Sequence, residues 1–167
     1  PSCAATHPTI DTLLDLRREH AFDPADVVAV EVDVDPVTPT VLIYDRPVTG
    51  LQGKFSLHFC AAAALATGRI GIETFAVSAM KAAAVDRLVP LVTMRVDERL
   101  GPPENDAPPL TQARVRIRLV DGRTLERFAD GARGYPRRPA TGDELDAKFT
   151  SCATRSVSKE LADRALG

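Results

Sequence analysis

The 167-residue sequence has little that would mark it for nucleic acid, a membrane or an oxidising compartment. Its net charge is −2, so it lacks the strongly basic balance of a nucleic-acid-binding domain. No apolar run approaches the roughly 18 residues of a membrane-spanning helix. The three cysteines, at 3, 60 and 152, are far apart and form no CxxC pair, which argues against a disulfide framework and a zinc site. We therefore expect a cytoplasmic protein with neither nucleic-acid nor membrane partners.

Common cofactor and nucleophile motifs are also missing. The sequence has no Walker loop, no GxGxxG, no HExxH and no GxSxG. Its three histidines, at 7, 20 and 58, are not grouped with carboxylates at a metal-ligand spacing. We predict no metal and no cofactor, so any chemistry must come from side chains and backbone amides.

The apolar pattern predicts an α+β domain, with a small, mostly antiparallel sheet covered by helices. Valines at every second position predict a strand over Val27–Val34. Two more strands, Arg114–Leu119 and Arg123–Phe128, are joined by Asp121-Gly122, a strong hairpin signal. The other predicted elements are helices over Thr9–Arg18, Leu51–Thr67, Ile72–Ala76 and Ala79–Arg87, a strand over Leu91–Val96 and a loop at 101–109.

Two further helices are predicted to close the chain. They cover Asp143–Ala153 and Ser158–Leu166, with Thr141 and Ser156 as the predicted caps. We predict one α+β domain over 1–140, followed by the closing helices over 141–167.

The predicted helix Leu51–Thr67 is apolar around nearly its whole circumference, which is typical of a buried helix. Lys54 and His58 are four residues apart, so they share one face of such a helix, beside Ser56. The first-turn N–H groups at 51–54 and the positive end of the helix dipole favour an anion. This pattern is compatible with a carboxylate pocket in which His58 exchanges a proton near neutral pH. On spacing alone, a solvent-directed Lys54 and a packed His58 are the commoner arrangement.

The opening segment holds a second candidate. His7 lies between Thr6 and Pro8, just before the first helix, where it could serve as an acid, a base or a substrate hydrogen bond, or equally as a local capping contact. Cys3 is nearby, but four residues of non-helical chain do not fix a Cys–His pair, so a packed or idle thiol is favoured. Cys60, on the apolar helix, is predicted to be inert core.

Five blocks of the sequence, taken in order, carry a family resemblance. They are PSCAATHPTID at 1–11, KFSLHFCAAA at 54–63 followed by GRIG at 68–71, the hairpin at 116–124, RGYP at 133–136, and the helix from DEL at 143–145 to KF at 148–149. Together they resemble the MmgE/PrpD family, which includes 2-methylcitrate dehydratase, cis-aconitate decarboxylase and iminodisuccinate epimerase. Each block is weak alone, but their order and spacing make the resemblance fairly specific.

The resemblance implies a particular place in a larger enzyme. The chain looks like the smaller, C-terminal α+β domain, a lid over the active site of a cofactor-independent lyase (dehydratase or decarboxylase) or isomerase. The larger family domain is helical, mostly N-terminal, and carries much of the homodimer contact. Family members act without metal on small di- and tricarboxylates. Because the chain begins at Pro1 rather than Met, we expect a piece of a longer protein, inactive alone.

The resemblance also assigns roles to residues. Lys54 and Ser56 match the family block and would bind the substrate, together with His58, which stands where the family varies. His7 matches the Thr-His of the opening motif and is the candidate catalytic residue.

Two positions depart from the family pattern. Cys3 stands where some members carry an active histidine, and Phe59 stands where a tyrosine hydroxyl is often found. A family lysine would fall just before Pro1. These departures leave the substrate and the reaction open, and the alternative interpretation is a non-catalytic ligand-binding or assembly module.

Overall fold

In a computed structural model, which describes residues 1–101 and 112–166, the chain divides into two compact units, one of residues 1–132 and one that begins at 133. The predicted loop at 101–109 lies outside the described residues except for Gly101. The predicted domain boundary after residue 140 stays a prediction. The helices and strands are α1 (His7–His20), β1 (Val27–Val34), α2 (Thr38–Val41), α3 (Gly50–Lys54), α4 (Leu57–Thr67), α5 (Val77–Met80), α6 (Ala83–Leu88), β2 (Val92–Val96), β3 (Gln112–Leu119), β4 (Thr124–Asp130), α7 (Gly142–Ala153) and α8 (Lys159–Leu166).

The sheet of the first unit has the strand order β2-β1-β3-β4. The pairings of β1 with β3 and of β3 with β4 are antiparallel, whereas β1 and β2 are parallel, with Val30 opposite Val92. The β3–β4 hairpin turns at Gly122, whose φ of +88° is a conformation that favours glycine. The predicted α+β class with a mostly antiparallel sheet is confirmed, and the sheet is mixed at its β2 edge.

Alternation along the strands gives the sheet two different faces. Val30, Val32, Val115 and Ile117 are fully buried on the inner face. There α1 packs against β3 and β4, while α4 packs against β2. The outer face carries charged side chains instead. The apolar face therefore holds α1 and α4 in place, and these helices carry His7 and His58, whereas Lys54 lies in α3.

The single helix predicted over Leu51–Thr67 is wrong, because the chain breaks between α3 and α4. In a continuous helix the N–H of Phe59 would bond to the carbonyl of Phe55. That N–H instead donates to the Ser56 Oγ at 3.1 Å, which caps α4. The freed carbonyl of Phe55 accepts the N–H of Tyr44 at 3.4 Å. A side-chain cap and an outside backbone donor thus replace one helical hydrogen bond.

The burial predicted for the apolar helix is confirmed for α4. All of its residues from Phe59 to Leu65 are at most 2% exposed. The helix ends at Gly68, which has a φ of +72° and donates its N–H to the carbonyl of Ala64. The guanidinium of Arg17, from α1, donates to the carbonyl of Leu65. The end of α4 is thereby fixed by both a glycine cap and a neighbouring helix.

Three smaller elements differ from the prediction. The helix predicted over Ala79–Arg87 is divided into α5 and α6, and the one predicted over Ile72–Ala76 is a 3-10 helix, Ile72–Phe75. The predicted Thr141 cap of α7 is confirmed as a capping box with Glu144. At the start of α8 the hydroxyl of Ser158, not that of Ser156, accepts an N–H, from Leu161 at 3.3 Å.

Candidate functional site

The opening segment of the chain is bonded to the α3–α4 junction. The N–H of Cys3 donates to the carbonyl of Lys54 at 2.9 Å. The hydroxyl of Thr6 donates to the carbonyl of Cys3 at 2.8 Å and also lies 2.8 Å from the Ser2 hydroxyl. These bonds join two parts of the chain that the sequence analysis selected separately.

His7 is the first residue of α1 and lies within this network. Its Nε2 is 3.3 Å from the carbonyl oxygen of Ser2, and its side chain is half-buried. Ser2 precedes Cys3, whose N–H bonds to Lys54, so His7 is connected to the junction through the opening segment. The local contact weighed in the sequence analysis is therefore present, with Ser2.

Lys54 is the last residue of α3 and is half-buried. Its Nζ lies 5.9 Å from the centre of the Phe75 ring, within the range of a cation–π interaction. Phe75 meets Phe59 edge-on, with the ring centroids 5.7 Å apart. The ammonium group therefore lies over Phe75, whose ring is in turn supported by Phe59.

Phe59 belongs to the core of the unit. It is 2% exposed, and it lies close enough to Gly53 that a Cβ there would be 3.1 Å from its ring. A phenylalanine at this position supplies packing but no hydroxyl.

Ser56 is fully buried, and its hydroxyl accepts the N–H of Phe59. The role this structure gives it is to start α4, which settles the orientation of the residues that follow. Its predicted contact with substrate stays a prediction.

His58 lies in the first turn of α4, beyond the break, so the predicted shared helix face with Lys54 is wrong. Its Nδ1 is 3.5 Å from the Oδ1 of Asp45, and its side chain is 15% exposed. Burial lowers the pKa of His58 below its usual 6.5, and the negative charge of Asp45 opposes that shift only in part. This lowered pKa favours the neutral imidazole at pH 7.

Cys60 is buried directly beneath the opening segment. Its Sγ lies 3.4 Å from the carbonyl oxygen of Gly53, as a donor. Burial raises the pKa of the thiol to about 12, against hydrogen bonds with Thr6 and Ser2 that favour the thiolate. A thiol with that pKa is unreactive at neutral pH, as the sequence analysis predicted.

Asp45 is the residue that the sequence analysis missed. It lies in the loop between α2 and α3, in an Asp-Arg-Pro segment without regular periodicity. Neither helical spacing nor a motif connects it to His58, thirteen positions later in the numbering. A backbone bond between Tyr44 and Phe55 brings its loop next to the α3–α4 junction.

The chemistry of the candidate residues suits an anion better than a metal. Within residues 1–101 and 112–166, no three His, Cys, Asp or Glu side chains come together as a metal-ligand group. The candidate side chains offer an ammonium group at Lys54 and imidazoles at His7 and His58. The hydroxyls of Ser2 and Thr6 lie beside His7 in the opening segment. A cation with nearby donors and a neutral imidazole can hold and orient a carboxylic acid.

Comparison with known proteins decides the family. The family model described as the MmgE/PrpD C-terminal domain matches residues 1–166. The chain belongs to the MmgE/PrpD family. It is also 26% identical over 120 residues to the cis-aconitate decarboxylase-like protein oryM of Aspergillus oryzae. That alignment covers 72% of this chain and 24% of the relative, so the chain spans much less than two thirds of the relative's length.

The match confirms the resemblance inferred from the five sequence blocks. All five lie within the matched residues of this MmgE/PrpD C-terminal domain. No helix in the described part of the domain combines the length and apolar character that a bilayer crossing requires.

Proposed function

We propose that this chain is the lid domain of a cofactor-independent MmgE/PrpD lyase or isomerase that acts on small di- or tricarboxylates in the cytoplasm. The observation that carries the proposal is the family match over residues 1–166, because it includes the segment 1–7 and the junction block at 54–58. The hydrogen bond from Cys3 to Lys54 supports it, since it joins these two blocks in space.

The proposed chemistry is the movement of a proton next to a carboxylate. Such a reaction develops negative charge on the substrate, which a fixed cation and hydrogen-bond donors stabilise. Lys54 is suited to hold a substrate carboxylate because Phe75 lies beneath its ammonium group. His7 transfers or orients a proton, and Ser56 and His58 complete the substrate contacts.

The rest of the site is supplied by an N-terminal helical domain, and the complete protein is a homodimer. Exposed apolar side chains support such an interface, among them Leu145 and Phe149 on one face of α7 and Leu161 on α8. With half of the site missing, residues 1–167 alone have no turnover. The length of the relative agrees with this, because the alignment covers 24% of it.

The test is turnover by the complete protein that contains this chain. Cis-aconitate is the first substrate to try, because the relative is described as cis-aconitate decarboxylase-like. 2-Methylcitrate and an iminodisuccinate-type dicarboxylate follow. We expect Lys54→Ala to lower kcat/KM by about 100-fold, the loss typical of one charge-stabilising donor. Lys81→Ala, which removes an exposed lysine of the same unit, is the matched control and keeps wild-type turnover.

Thermal denaturation of Lys54→Ala shows whether the variant is folded, because loss of the contact with Phe75 costs only about 0.5–1 kcal/mol. A folded Lys54→Ala variant with wild-type kcat/KM contradicts the role given to Lys54. Binding of these acids without turnover by the complete protein favours the non-catalytic binding module instead.

A further inference from the structure

The loop that carries Asp45 is attached to the same junction that positions Lys54 and His58. The N–H of Tyr44, the residue before it, donates to the carbonyl of Phe55 at 3.4 Å. Phe55 lies immediately after α3, and His58 lies in the first turn of α4. This backbone contact brings the loop next to the start of α4, where the Asp45 carboxylate lies beside the His58 ring.

The carboxylate faces one particular nitrogen of that ring. Nδ1 of His58 lies 3.5 Å from Oδ1 of Asp45. An ionised carboxylate only accepts hydrogen bonds, so it favours the tautomer in which Nδ1 carries the proton. In a neutral ring the other nitrogen, Nε2, then has its lone pair free to accept.

The surroundings of His58 favour the neutral form of its ring. Burial lowers its pKa, and Asp45 is the charged group among the described residues that acts in the opposite direction. Because the Asp45 side chain is 76% exposed, solvent weakens its effect on the charge of the ring. A carboxylate too weakly coupled to make the imidazole cationic can still stabilise one neutral tautomer over the other.

We propose that Asp45 is a positioning residue that holds His58 as the Nδ1-protonated tautomer, so that Nε2 accepts a hydrogen bond from the substrate. This inference rests on the proposed function and assigns different roles to Lys54 and His58 within that site. Lys54 provides the positive charge for a carboxylate, whereas His58 provides an acceptor for a donor group of the substrate. His58 is thus not a second cation.

The test reads the tautomer directly, by ¹⁵N NMR of the complete protein with histidine-selective labelling. His58→Gln assigns the His58 signals. In the wild type we expect the Nδ1-protonated pattern at pH 7. Asp45→Ala abolishes that preference and lowers the pKa of His58, because the acceptor and the charge are both lost. Asp45→Glu restores both in part, and Glu98→Ala, which removes another exposed carboxylate, changes neither.

Kinetics supply the second readout. We expect Asp45→Ala to lower kcat/KM by about tenfold, because a ring without a fixed tautomer presents Nε2 as an acceptor only part of the time. The wild-type kcat/KM falls on the acid side as His58 is protonated, and in Asp45→Ala this fall moves to lower pH. Asp45→Glu recovers part of the lost kcat/KM.

The outcomes separate the two proposals. An unchanged His58 tautomer in Asp45→Ala overturns this inference, and so does a changed tautomer with wild-type kcat/KM. A wild-type protein without turnover on any polycarboxylate overturns the proposed function, while an altered tautomer in the same preparation still supports the assignment of Asp45.

Discussion

Gly50 shows how little room the backbone around the site leaves. It is the first residue of α3, and a Cβ added there would lie 2.2 Å from the backbone carbonyl oxygen of Phe75. Since that oxygen belongs to backbone, relief requires α3 or the 3-10 helix Ile72–Phe75 to move. We expect Gly50→Ala to lower the free energy of unfolding by about 1–3 kcal/mol, as overpacking does. Urea denaturation of the complete protein, followed by circular dichroism, measures it.

Gly142 is the matched control for this variant. It is the first residue of α7, and a Cβ there meets nothing within 4 Å. Alanine at this position should leave stability unchanged or raise it slightly. Equal losses from Gly50→Ala and Gly142→Ala would contradict the steric argument.

At the scale of single residues, the sequence was most informative where a side chain acts on its own neighbours. Thr141 was recognisable as a cap because its partner Glu144 stands three positions later. The sequence did not show whether Ser156 or Ser158 caps α8, because both precede the same helical pattern. The backbone conformation decides which hydroxyl reaches an N–H. The role of Asp45 could not be predicted for a related reason. Its contact with His58 depends on the tertiary structure, in which Tyr44 bonds to Phe55.

At the scale of elements, α1 and α4 pack against each other, and an arginine links their last turns. Arg17 of α1 donates to the carbonyl of Leu65 in the last turn of α4, where carbonyls lack helical partners and cations are favoured. We expect Arg17→Met to lower the free energy of unfolding by about 1–3 kcal/mol, because a buried acceptor loses a charged donor. Urea denaturation of the complete protein measures the loss.

Arg18→Met provides the comparison within the same helix. Arg18 pairs with Asp15 at 2.9 Å, and its own side chain is 68% exposed, whereas that of Asp15 is 6% exposed. Because Arg127 still faces Asp15 at 3.7 Å and solvent screens the Arg18 guanidinium, we expect a loss of about 0–1 kcal/mol. If Arg18→Met lowered the free energy of unfolding as much as Arg17→Met does, the contact between Arg17 and the Leu65 carbonyl would not be the cause of the Arg17 effect.

The division of the predicted helix into α3 and α4 marks the limit of periodicity. The residues from Leu51 to Thr67 contain no proline, and Gly53 alone is a weak breaker. Ser56 is a good cap, but it competes with a fully apolar helical continuation. The Ser56 cap and the donation from Tyr44 to the carbonyl of Phe55 act together at the break, and the second of these comes from a loop that the sequence does not connect to the helix.

At the scale of the molecule, the charged outer face of the sheet links stability to pH. Arg116 lies between Glu31 and Glu126, 2.9 Å from each, and its hydrogen bonds lower the pKa of both carboxyls below their usual 4.5. Groups with a lowered folded-state pKa stabilise the fold above the unfolded value and lose this contribution as pH falls through the folded value. We therefore expect the melting temperature to fall as pH decreases below about 4.5.

Arg116→Met tests the origin of this acid sensitivity. The variant should melt at a lower temperature than the wild type at pH 7. Below pH 4.5 its melting temperature should fall less steeply, because only the wild type then loses the ion pairs of Arg116 as Glu31 and Glu126 are protonated. Arg118→Met, on the same face of β3 but exposed, has a much smaller effect. A steep acid fall that persists in Arg116→Met would place its cause elsewhere.

The fold class was predictable because alternation and hairpin signals are local. Val27–Val34 and the Asp121-Gly122 turn identified β1 and the β3–β4 pair directly. Strand order was not predictable, because pairing between β1 and β2 joins positions as distant as Val34 and Val96. Local patterns show which residues are extended but not which strand lies beside which.

The parallel pairing of β1 with β2 also limits how the site could be moved to another scaffold. Lys54, Ser56 and His58 all lie in the connection between these two strands, and the opening segment bonds to that connection from outside. A transplanted peptide from the junction would lack both the strand that precedes it and the strand that follows. The smallest portable version of the site is therefore the whole first unit, sheet included.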